Sequence, residues 1–191
     1  MEALRRFLIR LLRPVSEVAG KLHIAPHERD IQAHDVMDLE QHLRPGDVIL
    51  SYTKGEMTNY LIEGEYKHCA MYIGSGEIIE AIRAGVTIRD FEDFCASKDK
   101  IAICRPIFCT ATESENAAKY ARRNYVGRPY DYYFEPGTKL MYCAELIMHA
   151  YLCACSGTSP FLPREVMGVK TVLPVDYKLA TKKFTVIRER P

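Results

Sequence analysis

KHCAMYIGSGEIIEAI, residues 67–82, reads as two short strands, about 67–73 and 77–82, joined by a tight turn over Gly74-Ser75-Gly76. Both runs are apolar over most of their length, as in strands covered on two faces. Upstream, DLEQHLRPGDVILSY (38–52) has a turn signal at Pro45-Gly46 followed by the buried-strand run Val48-Ile49-Leu50. A helical patch is expected around 56–63. Downstream come a strand near Val86–Ile88, a short helix over DFEDFCA and another buried strand, IAICRPIF. Thr112-Glu113-Ser114-Glu115 has capping-box spacing and starts a helix expected to run to Gly127, which suits a C-cap. After the aromatic loop RPYDYYFEPG (128–137), a second long helix starts near Tyr142, and FTVIRE forms a last strand. Strands cluster centrally with helices around them, which makes the class α+β.

The chain has 191 residues, enough for one ordinary domain with a substantial core. Hydrophobic residues at 48% and charged residues at 27% exclude a disordered or coiled-coil chain. The 26 Lys and Arg against 25 Asp and Glu leave a net charge of +1, which argues against nucleic acid as a partner. Seven cysteines with no Cys-x-x-Cys pair exclude zinc-ribbon and thioredoxin-type sites and favour a reducing compartment, so the expected location is the cytoplasm. No apolar stretch is long enough to span a bilayer. Residues 1–43 are set apart from a domain at 44–191. Within them, residues 2–12 form a basic amphipathic helix, with Leu4, Phe7, Leu8, Leu11 and Leu12 at helical spacing and Arg5, Arg6 and Arg10 interleaved. It either packs on the domain or a subunit, or lies peripherally on an anionic membrane surface. Residues 14–34 read as a connector. His23 and His27 lack acidic or thiol partners at ligand spacing, and no metal or other cofactor is expected.

Cys143 falls in the first turn of its helix, where unpaired backbone N–H groups and the helix dipole favour a thiolate. Position alone leaves it open to the commoner role of a buried structural thiol. Cys69 and Cys104, within apolar strands, and Cys153 and Cys155, late in the helix, read as small core residues. A thiol nucleophile needs an imidazole and a group to orient it. His68 opens an apolar strand, whereas the other five histidines lie on helices or in polar connectors. Glu80 sits amid apolar neighbours, where an unpaired charge would be costly. Paired about the 74–76 turn, the strands can bring Glu80 across from His68; a register slip would offer Glu77 instead. Tyr130, Asp131 and Tyr142 flank the cysteine helix and either contact a polar or amine-bearing substrate or serve the core and its turns. Asp47, after the Pro-Gly turn, reads as structural. A metal held by His68 and Cys69 is discounted, because adjacent strand residues point to opposite faces.

The ordered series PGDVIL, HCAMYIG, IIEAI…GV, CRP, GRPYD and YCAEL, over roughly residues 44 to 155, resembles the YiiX/YebB-like branch of the NlpC-type papain-like cysteine hydrolases. That resemblance implies a circularly permuted papain-like fold, a central antiparallel sheet or small barrel with packed helices, in which the histidine strand precedes the cysteine helix. It implies Cys143 as nucleophile, His68 as general base and Glu80 as orienting group. The chain departs from the pattern in Ala144, where relatives commonly have Ser, and in Cys69-Ala70, where they have a Val-Gly type pair. The implied activity is hydrolysis of a peptide or cell-wall-peptide amide through an acyl-enzyme. The alternatives are a lipid-directed thiol esterase or acyltransferase of the lecithin-retinol acyltransferase-like type and a non-catalytic module binding a small ligand.

Overall fold

The computed structural model describes residues 29–56, 59, 62–132, 137–155, 164–166 and 169–191. The amphipathic helix expected at 2–12, His23, His27 and most of the connector lie outside the described residues, as does much of the patch at 56–63. In chain order the elements are α1 (Ala33–Glu40), β1 (Val48–Tyr52), β2 (His68–Gly74), β3 (Glu77–Ile82), β4 (Gly85–Asp90), α2 (Phe91–Cys95) and β5 (Lys100–Pro106). Then follow α3 (Ala111–Asn124), α4 (Cys143–Ala154), β6 (Arg164–Val166), β7 (Val169–Thr171), α5 (Asp176–Leu179) and β8 (Phe184–Arg190).

Six strands form one antiparallel sheet in the order β4-β3-β2-β1-β5-β8. Its two ends, β4 and β8, do not pair with each other, so of the two expected forms the fold takes the open sheet. The period of two sorts the apolar runs onto two faces. Val48, Leu50, Cys69, Met71, Ile79, Ala102 and Cys104 face a core shared with α3 and α4. Ile49, Ala70, Tyr72, Ile78, Ile101 and Ile103 face a second core, under Leu39 of α1 and Phe91, Phe94 and Cys95 of α2. The strands therefore read as continuous apolar runs because both faces are covered. Helix α1 lies on the N-terminal side of residue 44 and is nevertheless seated on this sheet through the fully buried Leu39.

The β2–β3 hairpin closes as the sequence indicates. Gly74 pairs with Glu77, and the two residues between them, Ser75 and Gly76, both have positive φ, 56° and 74°. That conformation matches the right-handed twist of the flanking strands. At the start of β1, Gly46 (φ +94°) passes so close to α3 that a Cβ there would lie 2.0 Å from Ser114 Oγ. Asp47, only 1% exposed, accepts from Arg105 Nε at 2.9 Å and Nη2 at 2.6 Å, and from the Arg44 N–H at 2.8 Å, in keeping with its structural reading.

Two helix ends differ from expectation. The capping box on α3 is Thr110 with Glu113, not Thr112 with Glu115. The sequence TATESE holds two overlapping frames, and Thr110 is the residue with extended backbone (ψ 163°) from which the helix can start. The helix ends at Asn124 rather than reaching Gly127, whose N–H instead bonds the Val86 carbonyl at 2.8 Å and ties the turn to β4. The β6–β7 ribbon was outside the sequence-based expectation.

Candidate active site

Helix α4 begins at Cys143, with Tyr142 as an N-cap in extended conformation (φ −95°, ψ 170°) that supplies no side-chain cap. The helix's first N–H groups are thus left for another acceptor. Its start is held from three sides. Asp131 N–H donates to the Met141 carbonyl at 3.2 Å, and Met141 N–H to the Pro129 carbonyl at 3.1 Å, zipping the 129–131 segment alongside. The Tyr142 hydroxyl is 2.6 Å from Thr171 Oγ1 and accepts from the Val172 N–H at 3.2 Å. The Tyr177 hydroxyl donates to the Ala144 carbonyl at 2.8 Å. Tyr142 is therefore buried with its hydroxyl committed to the β7 end, Asp131 is buried beside the helix, and Tyr130 is half-buried against the α4-side core.

Against this helix start lies the beginning of β2. His68 Nε2 is 2.7 Å from Glu80 Oε2, with the His68 side chain 21% exposed and that of Glu80 2%. Nε2 being taken, Nδ1 is the ring nitrogen left to face Cys143, with which His68 is hydrogen-bonded. The structure brings Cys143, His68 and Glu80 together, and leaves Glu77 on the surface in an ion pair with Arg122. Beyond the dyad, the Phe94 ring stands 6.2 Å from the imidazole, and Lys98 Nζ lies 4.9 Å over Phe94. Arg89 Nη1 is 3.8 Å from Glu80 Oε1.

The electrostatics agree with a charged pair. The Cys143 thiol is held well below its ordinary range by a hydrogen bond from the Cys69 thiol, against the opposing effect of burial and with further help from His68 and the Cys69 N–H. Burial works against a charged His68, but its hydrogen bonds to Cys143 and Glu80 outweigh it and raise the imidazole to about 9. Burial likewise disfavours the Glu80 carboxylate, and the His68 bond, with the charges of His68, Lys98 and Arg89, overcomes it and keeps the carboxyl below its usual range. These are the conditions for a thiolate facing an imidazolium that is itself oriented by a carboxylate.

Cys69 is the member of this cluster that sequence reasoning missed. Its side chain points to the α4 side of the sheet, opposite in alternation to His68, and Cys143 is reached at the β2 start by both neighbours. The usable signal was adjacency: whichever helix thiol meets His68 also meets residue 69. Glu145 was also missed. It is 2% exposed, accepts from the Gly137 N–H at 3.2 Å and stands 3.5 Å from His149 Nε2, and its burial raises its carboxyl above the ordinary range.

A six-stranded α+β sheet in which the histidine strand precedes the cysteine helix defines a permuted papain-like hydrolase. The chain belongs to the permuted papain-like amidase family YaeF/YiiX, C92, whose match spans residues 42–182. It is accordingly a cysteine peptidase or amidase-type hydrolase. The fold is shared with the crystal structure of YiiX from Escherichia coli O157:H7, at a TM-score of 0.64 and 18% identity over 78% of this chain and 98% of that one. No curated protein matches. YiiX is described there as a metalloprotein; among the described residues of this chain, no group of three or more His, Cys, Asp or Glu is arranged to hold a metal ion. No helix among the described residues is long and apolar enough to cross a membrane.

Proposed function

We propose that the chain cleaves an amide bond in a small peptide or cell-wall-type peptide, with Cys143 as nucleophile, His68 as general base and acid, and Glu80 as the group that orients His68. The observation that carries this reading is the 2.7 Å contact of Glu80 with His68 Nε2, which leaves Nδ1 to Cys143 at a helix start. The thiolate attacks the carbonyl carbon, and the Cys143 N–H is one donor to the resulting oxyanion. The imidazolium gives its proton to the leaving amine, and the carbonyl re-forms as a thioester. His68 then takes a proton from water as that water attacks, and the acid departs with the thiol restored. Tyr130 and Asp131, with Tyr142 behind them, line the side on which substrate would lie. The cysteine content supports a cytoplasmic location. A lipid-directed ester chemistry drew its support from residues 2–12, which lie outside the described residues.

The test is limiting iodoacetamide near pH 6 with mass-spectrometric mapping of all seven cysteines, comparing wild type with His68→Ala. Selective labelling at Cys143, lost in the variant, is the expected result. Labelling of Cys143 no faster than the other thiols would remove the basis of the reading.

A further inference from the structure

We propose that Cys69 is a resolving cysteine for Cys143, so that a hydroperoxide converts the active site into a reversible Cys69–Cys143 disulfide. The inference rests on the reading of Cys143 as the activated thiol and adds a modification site to it. Its basis is a juxtaposition. Cys69 on β2 and Cys143 at the first position of α4 share one buried cluster, with exposures of 0% and 4%, and their thiols are within hydrogen-bonding reach of each other. The Cys69 N–H also points to the Cys143 sulfur, so the strand backbone and not only a mobile side chain holds the two residues together. Both are free thiols in this structure.

The two thiols differ in chemistry as the scheme requires. Cys143 is the thiolate, and thiolate character selects which cysteine a peroxide oxidises first. Its sulfur attacks the peroxide O–O bond, taking one oxygen to become the sulfenic acid while the other leaves as water after gaining protons. Burial and the neighbouring Cys143 hold the Cys69 thiol well above its ordinary range, so it stays a thiol until its partner changes. Once Cys143 is a sulfenic acid, its negative charge is gone and that restraint is relieved. The Cys69 sulfur then displaces hydroxide from the Cys143 sulfur; the thiol proton leaves with the hydroxide as water, and an S–S bond forms. Two electrons have passed from the two thiols to the peroxide, and a dithiol returns them by exchange. With no exposed surface, Cys69 meets no solvent reagent directly, and the Cys143 sulfur is the partner open to it.

A second thiol pair in the same chain provides an internal control. Cys109 and Cys155 are also within hydrogen-bonding reach, but burial pushes the Cys109 thiol up to about 12 and raises Cys155 as well. It has proximity without an activated thiolate. Stoichiometric hydrogen peroxide on the full chain should therefore link 69 to 143 ahead of 109 to 155.

The experiment treats wild type with hydrogen peroxide, digests it without reductant and maps the linked peptides, then measures iodoacetamide labelling of Cys143 before oxidation, after it and after dithiothreitol. The expected result is a 69–143 linked peptide, loss of labelling on oxidation and its full return on reduction. In Cys69→Ala the same treatment should carry Cys143 to the sulfinic acid, with labelling that dithiothreitol does not restore. Wild-type Cys143 that labels selectively yet oxidises to the sulfinic acid with no 69–143 link overturns the inference and leaves the hydrolase reading standing. A Cys143 inert to both reagents overturns the two together.

Discussion

Glu80 lies opposite Ala70 in the β2–β3 ladder, not opposite His68, yet its Oε2 is 2.7 Å from His68 Nε2. The pair is diagonal: same-face residues two apart on one strand both lie within reach of a long side chain on the next. That arrangement lets Glu80 sit inside the hairpin at 2% exposure while His68, at the strand's first position, keeps an edge toward solvent. The carboxylate is thus shielded and the imidazole is accessible.

Replacing Glu80 with Gln should preserve the shape of this contact and remove its charge. The expected consequences are a fall of the His68 pKa from about 9 and slower alkylation of Cys143 near pH 6. Hydrolysis should drop by roughly 10²-fold or more, as expected when the group that orients a general base is lost. An NMR titration of the His68 ring reads the first effect directly; an unmoved pKa would deny Glu80 its assigned role.

The Cys143–His68 pair also predicts how stability varies with pH. His68, raised from 6.5 to about 9, contributes stability that is fully present below 6.5 and lost as pH rises through about 9. Cys143, depressed from 9.0, contributes stability present above 9.0 and lost as pH falls through its lowered value. Taken together, the folded pair holds one proton between those limits. The unfolded chain holds two below 6.5 and one between 6.5 and 9.0. Stability due to the pair should therefore rise as pH climbs through about 6.5 and level off above neutrality. Urea denaturation of wild type and Cys143→Ala at a series of pH values checks this, since the rise should be absent from the variant.

The hairpin and the site dyad were legible in the sequence because both depend on local rules. A Gly-Ser-Gly turn fixes the pairing of its flanking runs, and that pairing places Glu80 near His68 without knowledge of the rest of the chain. The contact of Cys69 with Cys143 was not legible, because it depends on the height at which α4 lands on the sheet, a packing distance no local pattern encodes. The α3 cap shows a different limit: TATESE satisfies the capping rule at Thr110 and at Thr112, and only the direction from which the chain leaves β5 selects the first. Helix α1 was hidden for a third reason. In AHDVMDLE, Asp35 and Leu39 are its buried residues, too few to give a clear apolar stripe.

Arg105→Ala should be among the most destabilising surface-proximal substitutions. It strips the bidentate partner from Asp47, whose side chain is 2% exposed, at the turn into β1. Breaking a buried pair from one side costs about 3–5 kcal/mol, and the 20% exposure of Arg105 places the expected loss near the lower end. Chemical denaturation with an unchanged m-value is the measurement. A loss under about 1 kcal/mol would mean that water replaces the guanidinium without penalty.

Gly46 and Gly127 separate backbone strain from steric overlap. Both have φ in the left-handed region, +94° and +85°, so alanine at either carries the same conformational penalty of about 1–2 kcal/mol. Around Gly127 nothing lies within 4 Å of a built Cβ, and the penalty should stop there. At Gly46 the Cβ would stand 2.0 Å from Ser114 Oγ and 2.5 Å from the Ser114 carbonyl oxygen, and a helix backbone cannot swing aside as a side chain can. Displacing α3 from β1 should add about 1–3 kcal/mol. It also moves α4, because the Tyr151 hydroxyl donates to the Gly46 carbonyl. Gly46→Ala should therefore slow Cys143 alkylation as well as lower stability, whereas Gly127→Ala lowers stability alone. Equal effects of the two alanines would show that α3 does not pack rigidly on the β1 turn.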